Sequence, residues 1–306
     1  MVEKEYHAPV WRSICPLSGL ILALALGCAT EADVLGHAVV LADRGRYLEA
    51  QVALERRLKL HPEDVAARRL LIRIFGLEGD LGRARQQAEE LAARLGPTSP
   101  VPWLELGHSL ELAHRYDEAL DLYDRAAEVA PRDPLGPKIG GLRTARWGER
   151  ELARPRLEEA LRRDSRDAEV WHALGLVCIG LGDLPAAERA YRAGLMADPR
   201  AMENHVGLAT LAFIQSRPQL ALHEYESILA ARPKQKDALL GRSLALIMMG
   251  RYDDAEHALA EAGERGADPA VVGKQRRLLA ESRRGVASAL PQTPHGAPED
   301  VPTHTP

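Results

Sequence analysis

The sequence predicts an all-α solenoid of seven helix–turn–helix units, closed by a further helix at the C-terminal end. Three observations carry this expectation. Ala50, Ala84, Ala119, Ala153, Ala187, Ala221 and Ala255 recur at intervals of 34 or 35 residues, and a fixed period in this range marks repeat architectures. Twelve residues before each stand Ala38, Ile72, Gly107, Gly141, Gly175, Ala209 and Ser243, small in every unit but one. Only 4% of residues are aromatic although 46% are hydrophobic, which fits helices packed through small side chains.

The same composition excludes several function classes. The chain has 306 residues with 44 acidic and 40 basic groups, a net charge of −4. It is too apolar and too balanced in charge to be disordered throughout. It lacks the basic stripe that nucleic-acid binding requires. No run of 18 apolar residues occurs, so no spanning helix is expected in a mature chain.

Residues 1–27 read as a leader. Residues 14–27, ICPLSGLILALALG, are uncharged and apolar, and Cys28 follows before the chain turns polar at Ala29-Thr30-Glu31. Fourteen residues are short for a transmembrane helix and suit a secretory signal core. Gly27 before Cys28 resembles a bacterial lipoprotein signal, in which the Cys is acylated and becomes the new N-terminus. Ala25 and Leu26 depart from that family's usual order of Leu first and a small residue second. Ala29, not Asp, follows the Cys, and by that resemblance implies sorting to the outer membrane, facing the periplasm. An ordinary secretory signal, an uncleaved hydrophobic anchor and a cytoplasmic chain remain the other readings. Residues 28–30 form a short linker.

Residues 31–269 hold the repeats, in the frame 31–64, 65–98, 100–133, 134–167, 168–201, 202–235 and 236–269. Each unit offers two apolar-periodic helices of about three turns. Turn signals such as Gly79-Asp80, Gly182-Asp183 and Met249-Gly250 separate them. Pro62, Pro131, Pro199 and Pro233 close four of the units, where a fixed φ and a missing N–H suit an inter-helix turn. Trp103, Leu106, Gly107, Leu110, Ala119, Tyr123, Ala126 and Pro131 resemble the tetratricopeptide repeat signature, as do Trp171, Leu174, Gly175, Ala187, Tyr191 and Pro199. That resemblance implies a right-handed solenoid whose first helices line a concave binding surface. Unit four departs most, with Gly140-Gly141 inside its first helix and Thr144 at an apolar place. It is the expected soft point or hinge, unless its neighbours hold a merely degenerate unit.

Residues 270–285 form the expected capping helix, with Val271, Val272, Leu278 and Leu279 facing inward. Residues 286–306 carry five prolines and read as a disordered tail. Of three cysteines, Cys178 falls at an apolar helix position and reads as a core residue.

No catalytic pattern is present: there is no P-loop, no G-x-S-x-G and no H-E-x-x-H. The chain is expected to be a binding protein with no cofactor, metal, nucleic acid or small-molecule substrate. The resemblance places repeat positions 2, 5, 9, 12 and 13 on the concave face. Carried over, these give an apolar C-terminal half of Leu176, Ile179, Val206, Phe213, Ile214, Leu240, Leu244 and Ile247. They give basic Arg69, Arg73, Lys138 and Arg146 towards the N-terminal half. Several of the apolar residues could instead pack on the next unit. An apolar groove suits an amphipathic helix or extended segment of a partner protein. Position 9 carries no Asn, which argues against the Lys/Asn/Arg carboxylate clamp of co-chaperone repeats. A leader of this kind with a repeat solenoid resembles the pilotin lipoproteins of type IV pilus biogenesis, which assist secretin assembly. Other envelope scaffolds share that layout. A soluble cytoplasmic adaptor or co-chaperone is the alternative, and only the leader separates the two.

Overall fold

A computed structural model describes residues 31–289, with side chains from residue 34 to 285. The leader, Cys28 and the tail beyond residue 289 lie outside the described residues. Fifteen α-helices follow one another with no strand among the described residues. The pairs are α1 (Glu31–Asp43) with α2 (Tyr47–Leu60), α3 (Val65–Glu78) with α4 (Leu81–Leu95), and α5 (Val101–Leu112) with α6 (Tyr116–Val129). Then come α7 (Leu135–Trp147) with α8 (Arg150–Arg163), α9 (Ala168–Gly180) with α10 (Leu184–Ala197), and α11 (Met202–Ile214) with α12 (Pro218–Ala231). The last pair is α13 (Lys236–Met248) with α14 (Tyr252–Glu264), followed by α15 (Pro269–Ala289). Every first helix opens within one residue of the repeat frame read from the sequence.

Local chemistry sets the helix ends. The Asp64, Asp80, Asp167 and Asp183 carboxylates accept hydrogen bonds from backbone N–H groups of the first turns of α3, α4, α9 and α10, a strong N-cap arrangement. The turn inside each unit needs one residue at positive φ. Gly45, Gly79, Gly148, Gly182 and Gly250 supply it in five units, and glycine has no Cβ to clash there. His114 and Ser216 adopt φ of 59° and 56° in units three and six, which explains why no glycine marks those turns in the sequence.

The core runs along the helix pairs. All seven of the recurrent alanines are fully buried. The small column of the first helix faces the following second helix. A Cβ on Gly107 would lie 2.6 Å from the Tyr123 ring, and one on Gly175 would lie 2.3 Å from the Tyr191 ring. Cys178 is buried in the same cluster, as read from the sequence.

The glycines of unit four sit at close helix contacts, which fits the reading of a degenerate unit held by its neighbours more than that of a hinge. A Cβ on Gly136 would meet the Ala127 backbone at 2.5 Å, and one on Gly141 the Leu157 side chain at 2.8 Å. Thr144 is fully buried, and its hydroxyl donates to the carbonyls of Gly140 and Gly141 at 2.7 and 3.1 Å. The glycines permit close helix approach, and the Thr satisfies its polarity within its own helix.

The capping helix is longer than expected. It continues to Ala289, so residues 286–289 are helical and the reading of a disordered tail from 286 is corrected at its start. Its inward face is also corrected. Val272 and Leu279 are buried, while Val271 and Leu278 are 36% and 41% exposed. The helix is turned so that Gln275 accepts from the buried Ser243 hydroxyl and Tyr252 donates to the Ser282 carbonyl at 3.3 Å.

Candidate partner-binding groove

The first helices α3 to α13 carry the residues expected to form the groove, and the structure separates them into three groups. The first is exposed and apolar: Leu176 at 51%, Ile214 at 50% and Val206 at 37%. They come from α9 and α11, at repeat positions 9, 13 and 5 respectively. Met248 of α13 adds a fourth exposed apolar side chain, at 46%.

The second group is wholly or partly withdrawn into the core. Leu240 and Ile247, expected in the groove, are buried at 9% and 4% and belong to the cluster shared by α11 to α15. The physical reason is the cap: α15 packs on α13 and α14 and makes that end an interior. Phe213 is half-buried against the same cluster, its ring 6.1 Å from that of Tyr225. Ile179 and Leu244 are also half-buried.

The third group is the basic residues. Arg69 and Arg73 both reach one carboxylate, Glu105 of α5, at 2.6 Å each. Glu105 is only 3% exposed. Burial pushes its carboxyl up, but the hydrogen bonds and charges of Arg73 and Arg69 outweigh this and hold it below its ordinary range. The two guanidiniums are therefore committed to an internal partner, not free to grip an acidic ligand as the sequence implied. Lys138 is likewise engaged, with Asp167 and Glu169 each at 2.7 Å. Burial lowers its ammonium pKa, and these two carboxylates raise it further than burial lowers it. Arg146 is exposed and lines a hollow of 400 Å³ with Leu142, Glu169, His172 and Leu176.

Sequence reading missed Glu105. Its column holds Leu70, Ile139, Ala173, Gly207 and Gly241 in other units, so a lone carboxylate there was a visible signal of an internal charge partner. His172 stands at repeat position 5 of unit five, one of the positions that the resemblance places on the concave face. This side chain stands between the hollow beside Leu176 and a second of 400 Å³ lined by Val206, Glu203, Tyr225 and Asp237. Burial lowers the imidazole pKa, against the pull of Glu203 and Glu169, which favours the neutral form of His172. The groove of units five to seven is thus an apolar strip with a His between two hollows. Glu169, Glu203 and Asp237 stand exposed at its edge.

Two family profiles described as tetratricopeptide repeat match this chain. One covers residues 212–278, and the other covers 35–100 and 146–202. Together these spans take in more than half of the sequence. The chain is a tetratricopeptide repeat protein. Among curated tetratricopeptide-like relatives, the co-chaperone sgt12 of Aspergillus fumigatus is 28% identical over 119 residues, which is 38% of this chain and 35% of that protein. This chain spans well under half the length of the curated relatives it matches. The C-terminal part of a tetratricopeptide repeat protein from Cytophaga hutchinsonii superposes with a TM-score of 0.58 at 15% identity, over 78% of this chain and 98% of that one. YrrB, a repeat protein with an unusual peptide-binding site, superposes with a TM-score of 0.51 at 16% identity, over 61% of this chain and 96% of that one. These likenesses establish the tetratricopeptide solenoid fold. Among the described residues no helix is long and apolar enough to cross a membrane, and no cluster of His, Cys, Asp and Glu could hold a metal ion.

Proposed function

We propose that this repeat protein is a non-enzymatic scaffold, held at the bacterial envelope through acylated Cys28, that binds an apolar segment of a partner protein in the groove of units five to seven. The observation that carries the binding site is the exposure of the apolar side chains Leu176, Val206, Ile214 and Met248 on three successive first helices. Exposed apolar surface of this kind marks interaction sites, and a helix or extended segment fits it. The leader supports the envelope part of the reading. Within it, assistance to type IV pilus or secretin assembly is the subtype that the layout of leader and solenoid fits.

A photo-crosslinking side chain at Leu176 or Ile214 of the full chain tests the groove in its native setting. It should give a discrete protein adduct that a probe at the convex Arg192 does not. L176D/V206D/I214D should abolish the adduct with helicity unchanged by circular dichroism. An adduct that survives those three charges removes the groove from the mechanism.

The likeness to the sgt12 co-chaperone favours a second reading, a soluble adaptor with the same groove. Labelling with a palmitate analogue decides between the two. The envelope reading expects label in wild type and none in Cys28→Ala. An unlabelled wild type in the soluble cytoplasmic fraction would leave the adaptor reading standing.

A further inference from the structure

The two ends of the solenoid are built differently. At the C-terminal end α15 buries Val272 and Leu279 and turns charged residues outward, which is how a repeat array finishes itself in water. The N-terminal end has the opposite character. On α2, Leu48, Val52 and Leu60 are 67%, 57% and 72% exposed, among the most exposed large apolar side chains of the described chain. They flank an open hollow of 820 Å³ between α1 and α2, also lined by Val34 and His37.

The repeat register shows that this is not a property of the unit. Leu48 stands where later units carry Asp117, Glu151 and Asp253. Val52 stands where they carry Gln86, Asp121 and Arg189. Leu60 stands where three of them carry Arg94, Arg163 and Arg265 and the other three Val129, Ala197 and Ala231. The columns of Leu48 and Val52 are polar in those later units, whereas the column of Leu60 faces the preceding unit, where Arg163 donates to the Ala127, Ala130 and Asp133 carbonyls; Leu60 is exposed because no described unit precedes it.

The strip carries both signs, with Arg56 and Lys59 exposed on it and Glu55 keeping its charge because its partner Gln51 is neutral. Glu49 is bound by Arg46, Glu55 accepts from Gln51, and Asp64 is held by Arg57. Arg56 and Lys59 lie exposed between Val52 and Leu60, and among the described residues no carboxylate is bound to them. An amphipathic helix with apolar side chains on one strip and basic groups interleaved is the pattern that lies in a phospholipid interface. Position agrees with this. Cys28 precedes α1 by three residues, at most about 10 Å of extended chain. An acyl group on Cys28 would therefore hold the first unit close to the bilayer.

We infer that the α1/α2 face lies on the phospholipid surface, with Leu48, Val52 and Leu60 in the interface and Arg56 and Lys59 at the headgroup phosphates. This rests on the envelope-anchoring reading and deepens it. The lipid would then be a pivot, and the face would fix the direction in which the solenoid leaves the membrane.

The test uses the full chain with its own leader, in a bacterial host, carrying one of three substitutions: Val52→Cys, Leu60→Cys or Arg189→Cys. Cys178 is buried and gives a low background. Opened cells are treated with a membrane-impermeant maleimide before and after detergent dissolves the bilayer. The inference expects membrane-bound chain in which the α2 cysteines react several-fold more slowly than Arg189→Cys, with the rates converging in detergent. Leu60→Cys gives an independent reading should Val52→Cys fold poorly. Equal rates in intact membranes overturn the inference and leave anchoring intact. Protection that persists in detergent overturns it too, because protein then covers the face: a second copy if protection falls on dilution, residues 14–27 if it does not. Chain found only in the soluble fraction overturns the anchoring reading itself.

Discussion

Tyr191 shows how single residues hold this solenoid together. It is fully buried, and its ring occupies a slot made by the absence of two side chains. A Cβ at Gly175 of its own unit would lie 2.3 Å from the ring, and a Cβ at Gly207 of the next unit 2.4 Å. Gly175→Leu should therefore force α9 from α10, with a loss of about 1–3 kcal/mol from overpacking. Thermal unfolding reads this directly, and an unchanged Tm would show that the slot tolerates a large side chain. The Gly175 half of the slot was legible from the repeat signature. The Gly207 half was not, because it joins two units and the frame aligns residues within one.

At the scale of an element, α3 and α5 are coupled by one buried charge. Glu105 gathers Arg69 and Arg73 from the neighbouring unit. Its carboxyl is held below the usual range, so the coupling contributes stability at neutral pH. That contribution is lost as the pH falls from the ordinary carboxylate range through the lowered folded value. Both arginines are nearly half exposed, so solvent screens the pairs and the net effect is about 1–2 kcal/mol. Glu105→Gln should lower the melting temperature at pH 7 and narrow its gap to wild type in acid. A gap that stays constant down to low pH would mean that the charge of Glu105 is not what couples the units. The boundaries of α3 were legible because apolar period, the Gly79 turn and the Asp64 cap agree, whereas those of α5, with Pro100 before it and His114 in its turn, rested on the repeat period. The basic groove was misread for a definite reason. Repeat positions tell which way a side chain points, but not whether a carboxylate from the next unit already occupies its head group.

For the whole molecule, stability is a chain of neighbour contacts, so damage should stay local. Removing residues 269–306 takes away α15, which covers the cluster containing Leu259, Ala262 and Ile247. Amide exchange should then quicken in α13 and α14 while α3 to α6 keep their protection. Equal loss along the array would mean one cooperative unit. The count and order of units were legible from the 34-residue period alone. The contents of the groove were not, because the cap's rotation decides whether Leu240 and Ile247 face solvent or interior. A helix with apolar residues in adjacent pairs does not announce that rotation.

The slot around Tyr191 has one more consequence. In units five and six the ring of the second helix is received by a glycine of the following unit: Gly207 receives Tyr191 and Gly241 receives Tyr225. The unit that shuffles cleanly is therefore not the helix pair but the joint between pairs. If unit six were spliced ahead of unit three, Tyr225 would meet Glu105 where it now meets Gly241. A duplication that copies unit five or six keeps its packing only if ring and receiver are copied together. The seven units are thus a sentence with a fixed word order, although each word has the same length.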